Sequence, residues 1–131
     1  MKTNIFSSII FIFFLLGCNS SKSLYIFLEN SSSNIPKVKM QIFINDSQYL
    51  NKTIEYSDIT PNYYSYKFNM NDDVYKVKVV VADSIERRDT LYFNKTTYFY
   101  VTYENYYDSI FSKTTKEEVY LKKTTVLPKH Q

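Results

Sequence analysis

Thiol, imidazole and paired carboxylates are the groups most able to do chemistry, and this chain carries few of them. It has one cysteine, Cys18, and one histidine, His130, next to the C-terminus. A Ser-His-Asp or Cys-His arrangement needs an imidazole held against the nucleophile and oriented by a third group. A histidine at the chain end reads as a solvated tail residue instead. Adjacent carboxylates occur as Asp72-Asp73 and Glu117-Glu118. Glycosidase chemistry needs two carboxylates facing each other across a gap, whereas neighbours on a strand point to opposite faces. Asp72-Asp73 with Asn69 and Asn71 offers oxygen donors for calcium but lacks a bidentate Glu at the required spacing. That cluster reads as a turn. No catalytic residue, metal site or cofactor is expected, and the chain reads as non-enzymatic.

The only glycine is Gly17. Walker and Rossmann phosphate loops need glycine for close backbone approach, so nucleotide-dependent chemistry of those kinds is excluded after that point. Turns must be made by Asn, Asp, Ser and Pro. The net charge of +3 is spread over interspersed Lys, Arg, Asp and Glu. It forms no basic stripe of the kind nucleic acid needs, and no nucleic-acid partner is expected.

The N-terminus has a purpose of its own. Met1 to Asn4 is short and carries one positive charge on Lys2. Ile5 to Leu16 is an Ile/Phe-rich run of about twelve residues, against about twenty for a membrane crossing, and suits a secretory leader. It ends in Leu15-Leu16-Gly17-Cys18, which resembles the lipobox of bacterial lipoproteins. That resemblance implies cleavage between Gly17 and Cys18 and lipid on the Cys18 thiol and the new amino group. Cys18 is then unavailable as nucleophile, disulfide partner or metal ligand. Two or three acyl chains, at about 0.8 kcal/mol per buried methylene, hold a protein firmly on a membrane. Residues 1–17 are the expected signal peptide and residues 18–23 a flexible polar tether. The residue after Cys18 is Asn rather than the Asp that retains some lipoproteins in the inner membrane. The expected location is the periplasmic face of a Gram-negative outer membrane.

The positioning elements read as strands. Leu24 to Leu28 is a short apolar run. Val38, Met40, Ile42 and Ile44 alternate with Lys37, Lys39, Gln41 and Phe43, a clean period of two. Tyr49 to Tyr56 is a weaker strand. Tyr64, Tyr66 and Phe68 alternate with Tyr63, Ser65 and Lys67. Tyr75, Val77, Val79 and Val81 face one way, opposite Val74, Lys76, Lys78 and Val80. Asp83 to Arg88 reads as a polar hairpin loop, Leu91 to Phe93 as its returning strand, and Asn94-Lys95 as a two-residue turn. Thr97, Phe99, Val101 and Tyr103 alternate with Tyr98, Tyr100 and Thr102. A final strand centres on Val119 to Leu121, and residues 124–131 form a polar tail.

Seven to eight short strands and no helical period predict one all-β domain over residues 24–123, an antiparallel β-sandwich of immunoglobulin-like or transthyretin-like type. Asp73 to Val79 resembles the best-marked strand of transthyretin-like and carboxypeptidase-regulatory-like sandwiches. Those place Gly before the Tyr, where this chain has Asn71-Asp72-Asp73.

Tyrosine is the most informative residue. There are fourteen, all after Cys18, more than one small core can hide. Tyr joins apolar area to a polar tip with few rotatable bonds, which suits recognition. The pattern around Phe99 puts Tyr98 and Tyr100 outward, and the exposed sheet edge that carries them is the expected recognition face. Asp83-Ser84-Ile85, Asp89-Thr90-Leu91 and Asp108-Ser109-Ile110 each resemble the acceptor of a general O-glycosylation system found in one large Gram-negative phylum. Ser84, Thr90 and Ser109 are therefore candidate glycan sites. The expected function is a membrane-anchored envelope lipoprotein presenting its sandwich to a protein partner. The alternatives are a glycan-binding module and a small immunity or inhibitor lipoprotein.

Overall fold

A computed structural model describes residues 22–59, 61–107 and 115–127. Eight strands run in chain order: β1 (Lys22–Asn30), β2 (Lys37–Ile44), β3 (Ser47–Glu55), β4 (Tyr64–Met70), β5 (Asp73–Val81), β6 (Ile85–Phe93), β7 (Thr97–Tyr107) and β8 (Thr115–Thr124). They form two four-stranded sheets, ordered β4-β1-β7-β8 and β3-β2-β5-β6. The all-β sandwich expected from strand spacing is what the chain forms. Every strand pairing is antiparallel except β1 with β7, which run parallel.

Alternation decides which face of each strand is buried. Val38, Met40, Ile42 and Ile44 from β2 and Val77, Val79 and Val81 from β5 face Leu24, Ile26 and Leu28 from β1 and Phe99, Val101 and Tyr103 from β7. Each is at most 3% exposed. Burying an aliphatic or aromatic side chain of this size contributes about 1.5–3 kcal/mol, so these two inner faces carry most of the stabilisation. Tyr103 is the largest side chain among them. Its hydroxyl reaches out of the core and donates to Glu117 at 3.1 Å.

Connections without glycine are made by residues forced into positive φ. Asn45 (48°) and Asp46 (66°) close the β2–β3 hairpin, and Ala82 (52°) and Asp83 (57°) close the β5–β6 hairpin. Two successive positive φ values give the turn whose twist matches antiparallel strands. The β5–β6 turn is therefore confined to Ala82, Asp83 and Ser84, and β6 already starts at Ile85. The expected loop from Asp83 to Arg88 is corrected accordingly. Glu86, Arg87 and Arg88 are strand residues whose alternation is masked because β6 is a sheet edge. Asn94-Lys95 is also not a hairpin turn. It carries the chain from the β6 edge of one sheet to the central β7 of the other. At the N-terminal end β1 begins at Lys22, two residues before the expected Leu24, and Lys22 is ion-paired to Asp72.

The strands define two poles. The near pole holds the start of β1, the β2–β3 turn, the β6–β7 connection and the end of β8. The far pole holds the Ala82–Ser84 turn and the β1–β2 connection. That connection is pinned by Asn30, whose side-chain amide donates to Ile35 O at 2.8 Å and whose side-chain oxygen accepts from Ser32 N at 3.0 Å.

Candidate functional site: an aromatic stack on one outer face

The outer face of the β4-β1-β7-β8 sheet is set by parity. β1 buries Leu24, Ile26 and Leu28, so Tyr25, Phe27 and Glu29 point outward. β7 buries Thr97, Phe99, Val101 and Tyr103, so Tyr98, Tyr100 and Thr102 point outward with them. The parallel register places Tyr25 beside Tyr98, Phe27 beside Tyr100 and Glu29 beside Thr102. Neighbouring strands lie about 4.8 Å apart, and adjacent outward rings at that spacing can stack.

They do. Tyr25 and Tyr98 have ring centroids 5.3 Å apart and planes 15° from parallel. Phe27 and Tyr100 are 4.8 Å apart at 12°. Phe27 also lies 6.4 Å from Tyr98 at 30°, joining the two pairs diagonally. Tyr63, from the connection before β4, meets Phe27 at 5.9 Å and Tyr100 at 5.3 Å, edge-on to both. Lys67 of β4 places its Nζ 5.8 Å from the Tyr25 ring centroid at the other end of the stack. Offset-parallel and edge-on contacts are the favoured aromatic geometries, each adding about 0.5–1.5 kcal/mol beyond area burial.

Glu29 fixes the position of Tyr63. One carboxylate oxygen accepts from Asn62 N at 3.2 Å and the other from the Thr102 hydroxyl at 3.4 Å. Glu29 is 6% exposed, so its charge sits among the rings and tethers the β3–β4 connection to this face. Burial first, and the Glu29 charge second, push the Tyr63 phenol above its usual range. Burial first, and Tyr98 second, do the same to Tyr100.

Tyr98 and Tyr100 point outward as their pattern predicts, but two features differ from expectation. β7 is a central strand, not an edge. The two rings are also half-buried, because Tyr25, Phe27 and Tyr63 cover their sides. The sequence reading missed Tyr25, Phe27 and Glu29. The signal that locates them is the parity of β1, which the continuous apolar run Leu24 to Leu28 conceals.

The remaining site residues disperse. Ser84 is exposed in the far-pole turn. Thr90 lies within β6, half-buried, with its N–H bonded to the Asp89 side chain and its carbonyl accepting from Lys123 Nζ at 2.8 Å. It is a strand residue and not a loop tip. Gly17, Cys18, Ser109 and His130 lie outside the described residues. Among the described residues no three His, Cys, Asp or Glu side chains are grouped to hold a metal ion. No protein-family model and no curated protein matches the chain.

Proposed function

We propose that the chain is a non-enzymatic envelope lipoprotein, anchored through Cys18, that binds a protein partner with the outer face of its β4-β1-β7-β8 sheet. The observation that carries this reading is the stack of Tyr25, Tyr98, Phe27 and Tyr100 closed by Tyr63. A cluster of large aromatics with limited rotamer freedom at the centre of a sheet is the composition of a protein-binding hot spot. Its rim is polar, with Lys67 at one end and Thr102, held by the buried Glu29, at the other. The partner surface that fits it has an apolar centre and polar groups around it.

The stacking geometry favours a protein over a glycan. Sugar rings pack against the open face of an aromatic ring. Here the ring faces are turned towards one another, at 4.8 and 5.3 Å, and their edges are left for a partner. The transthyretin-like resemblance of Asp73 to Val79 is a likeness of fold and supports no function by itself.

A photo-crosslinking side chain at position 98 tests the face, with position 41 on the outer side of the other sheet as control. A defined protein adduct from position 98 alone is expected. Equal adducts from both positions, or glycan-array binding abolished by Tyr98→Ser with Tyr100→Ser, would replace this reading. Cys18→Ala is expected to abolish palmitate labelling and release the protein from membranes. Retention of both would remove the anchor. Ser84, Thr90 and Ser109 remain the proposed glycan positions.

A further inference from the structure

Exposed apolar side chains are unevenly distributed over the surface. The four most exposed large ones among the described residues are Ile59, Tyr92, Val126 and Leu127. Three of these are at the near pole, where Tyr92 is 74%, Val126 69% and Leu127 66% exposed. Val74, 49% exposed, is the register partner of Tyr92 on the adjoining strand. Tyr92 also borders a groove shared with Thr124 and Thr125, and Val126 and Leu127 follow directly. Val74 and Tyr92 are thus adjacent on the outer face of one sheet, and Val126 and Leu127 leave the groove that Tyr92 borders, which gathers these four exposed apolar residues at one end of the sandwich as an apolar rim.

We infer that this rim is a membrane-contact surface, whose occupant is the acyl-headgroup boundary of the bilayer holding the lipid anchor. The inference rests on reading Cys18 as the lipid-bearing residue. Only Asn19, Ser20 and Ser21 separate Cys18 from the first residue of β1. Four residue steps span at most about 14 Å when fully extended, about half the length of a nine-residue strand. The near pole therefore faces the membrane. Tyr at the polar boundary with aliphatic residues beside it is the side-chain mixture that seats at such an interface. Lys22 is paired with Asp72 and Lys123 with Asp89, so these two cations are already matched within the protein. With this pole on the lipid, the aromatic stack stands sideways and remains reachable from the aqueous side.

The chain has no tryptophan, so a single introduced indole reports its own surroundings. Tyr92→Trp, Val126→Trp and, at the far pole, Ser84→Trp are prepared in the full chain, matured in a bacterium and reconstituted in phosphatidylcholine vesicles with brominated acyl chains. Protein recovered without lipid has its one thiol coupled to a maleimide phospholipid, which reproduces the tether. A missing lipid thus counts against the anchor reading alone, and the pole is tested in either case. The expected result is blue-shifted, strongly quenched emission from Tyr92→Trp and Val126→Trp, and water-like, unquenched emission from Ser84→Trp. Water-like emission from all three, or quenching of Ser84→Trp alone, overturns the inference.

Discussion

Phe27 and Tyr100 are register partners on parallel strands, with rings 4.8 Å apart and 12° from parallel. Phe27 is the hub of the outer stack, since it touches Tyr98, Tyr100 and Tyr63. The stack therefore depends more on Phe27 than on either tyrosine hydroxyl. Phe27→Ala removes all three contacts and is expected to cost about 2 kcal/mol, below the range for a fully buried Phe. Tyr100→Phe keeps the stack and should change stability by less than about 0.5 kcal/mol. Urea unfolding of both variants checks this. Equal midpoints for the two would mean that the rings contribute nothing as a unit.

The β5–β6 turn holds an alanine where glycine would normally be found. Ala82 has φ 52° and is followed by Asp83 at 57°. Asn and Asp tolerate this region through local hydrogen bonding, but Ala has no such compensation. Ala82→Gly should raise stability by about 1 kcal/mol, with the larger entropy of the unfolded chain offsetting part of the relief. An increased melting temperature with the sheet spectrum unchanged is the expected outcome. A decrease would show that the turn carries no strain at this position.

What could be read in advance follows from physical locality. Strand parity is local, so the buried sets Val38 to Ile44, Tyr75 to Val81 and Thr97 to Tyr103 are legible in the chain, as is the outward direction of Tyr98 and Tyr100. Pairing is not local. Nothing near Tyr25 indicates that β1 lies parallel to β7, more than seventy residues later, so the stack itself could not be foreseen. Edge strands obscure the pattern in another way. Glu86, Arg87 and Arg88 see water beyond the last ladder, which lets charges sit where alternation would otherwise show. Asn94-Lys95 has the composition of a hairpin turn, but composition does not distinguish a turn within a sheet from a crossing between sheets.

Alkaline pH should destabilise the domain through its tyrosines. Tyr63, Tyr66, Tyr100 and Tyr103 are all raised above the ordinary phenol value of 10.0, with burial as the largest cause. Burial disfavours the phenolate, so the unfolded chain ionises first as pH rises. Their contribution to stability is fully present below pH 10 and is lost as pH climbs through the raised folded values. Melting temperature should be flat through neutral pH and fall above about pH 10. Phenolate absorbance recorded alongside should show a late-titrating group of tyrosines that joins the rest on unfolding. A single ionisation centred at the ordinary phenol value, with no change in melting, would contradict the desolvation of these phenols in the folded chain.

Geometry separates the proposed glycan positions that share one motif. Ser84 is exposed, as the last residue of a three-residue turn at the far pole. Thr90 has the same Asp before it and an aliphatic residue after it, but it lies within β6. Its residue is half-buried, and both flanking backbone groups are occupied, the N–H by Asp89 and the carbonyl by Lys123. A transferase must reach the acceptor hydroxyl and take the local backbone into its own groove. At Ser84 that costs no sheet hydrogen bonds beyond the turn, whereas at Thr90 it requires peeling an edge strand from β5 and breaking the Lys123 contact. Ser84 also points away from the membrane in the orientation argued above, which leaves it open to a periplasmic enzyme. Intact mass of protein purified from the native host should therefore fall by one glycan on Ser84→Ala and remain unchanged on Thr90→Ala. Loss of a glycan on Thr90→Ala with Ser84→Ala silent would mean that modification precedes folding, because only the unfolded chain offers Thr90 as freely as Ser84.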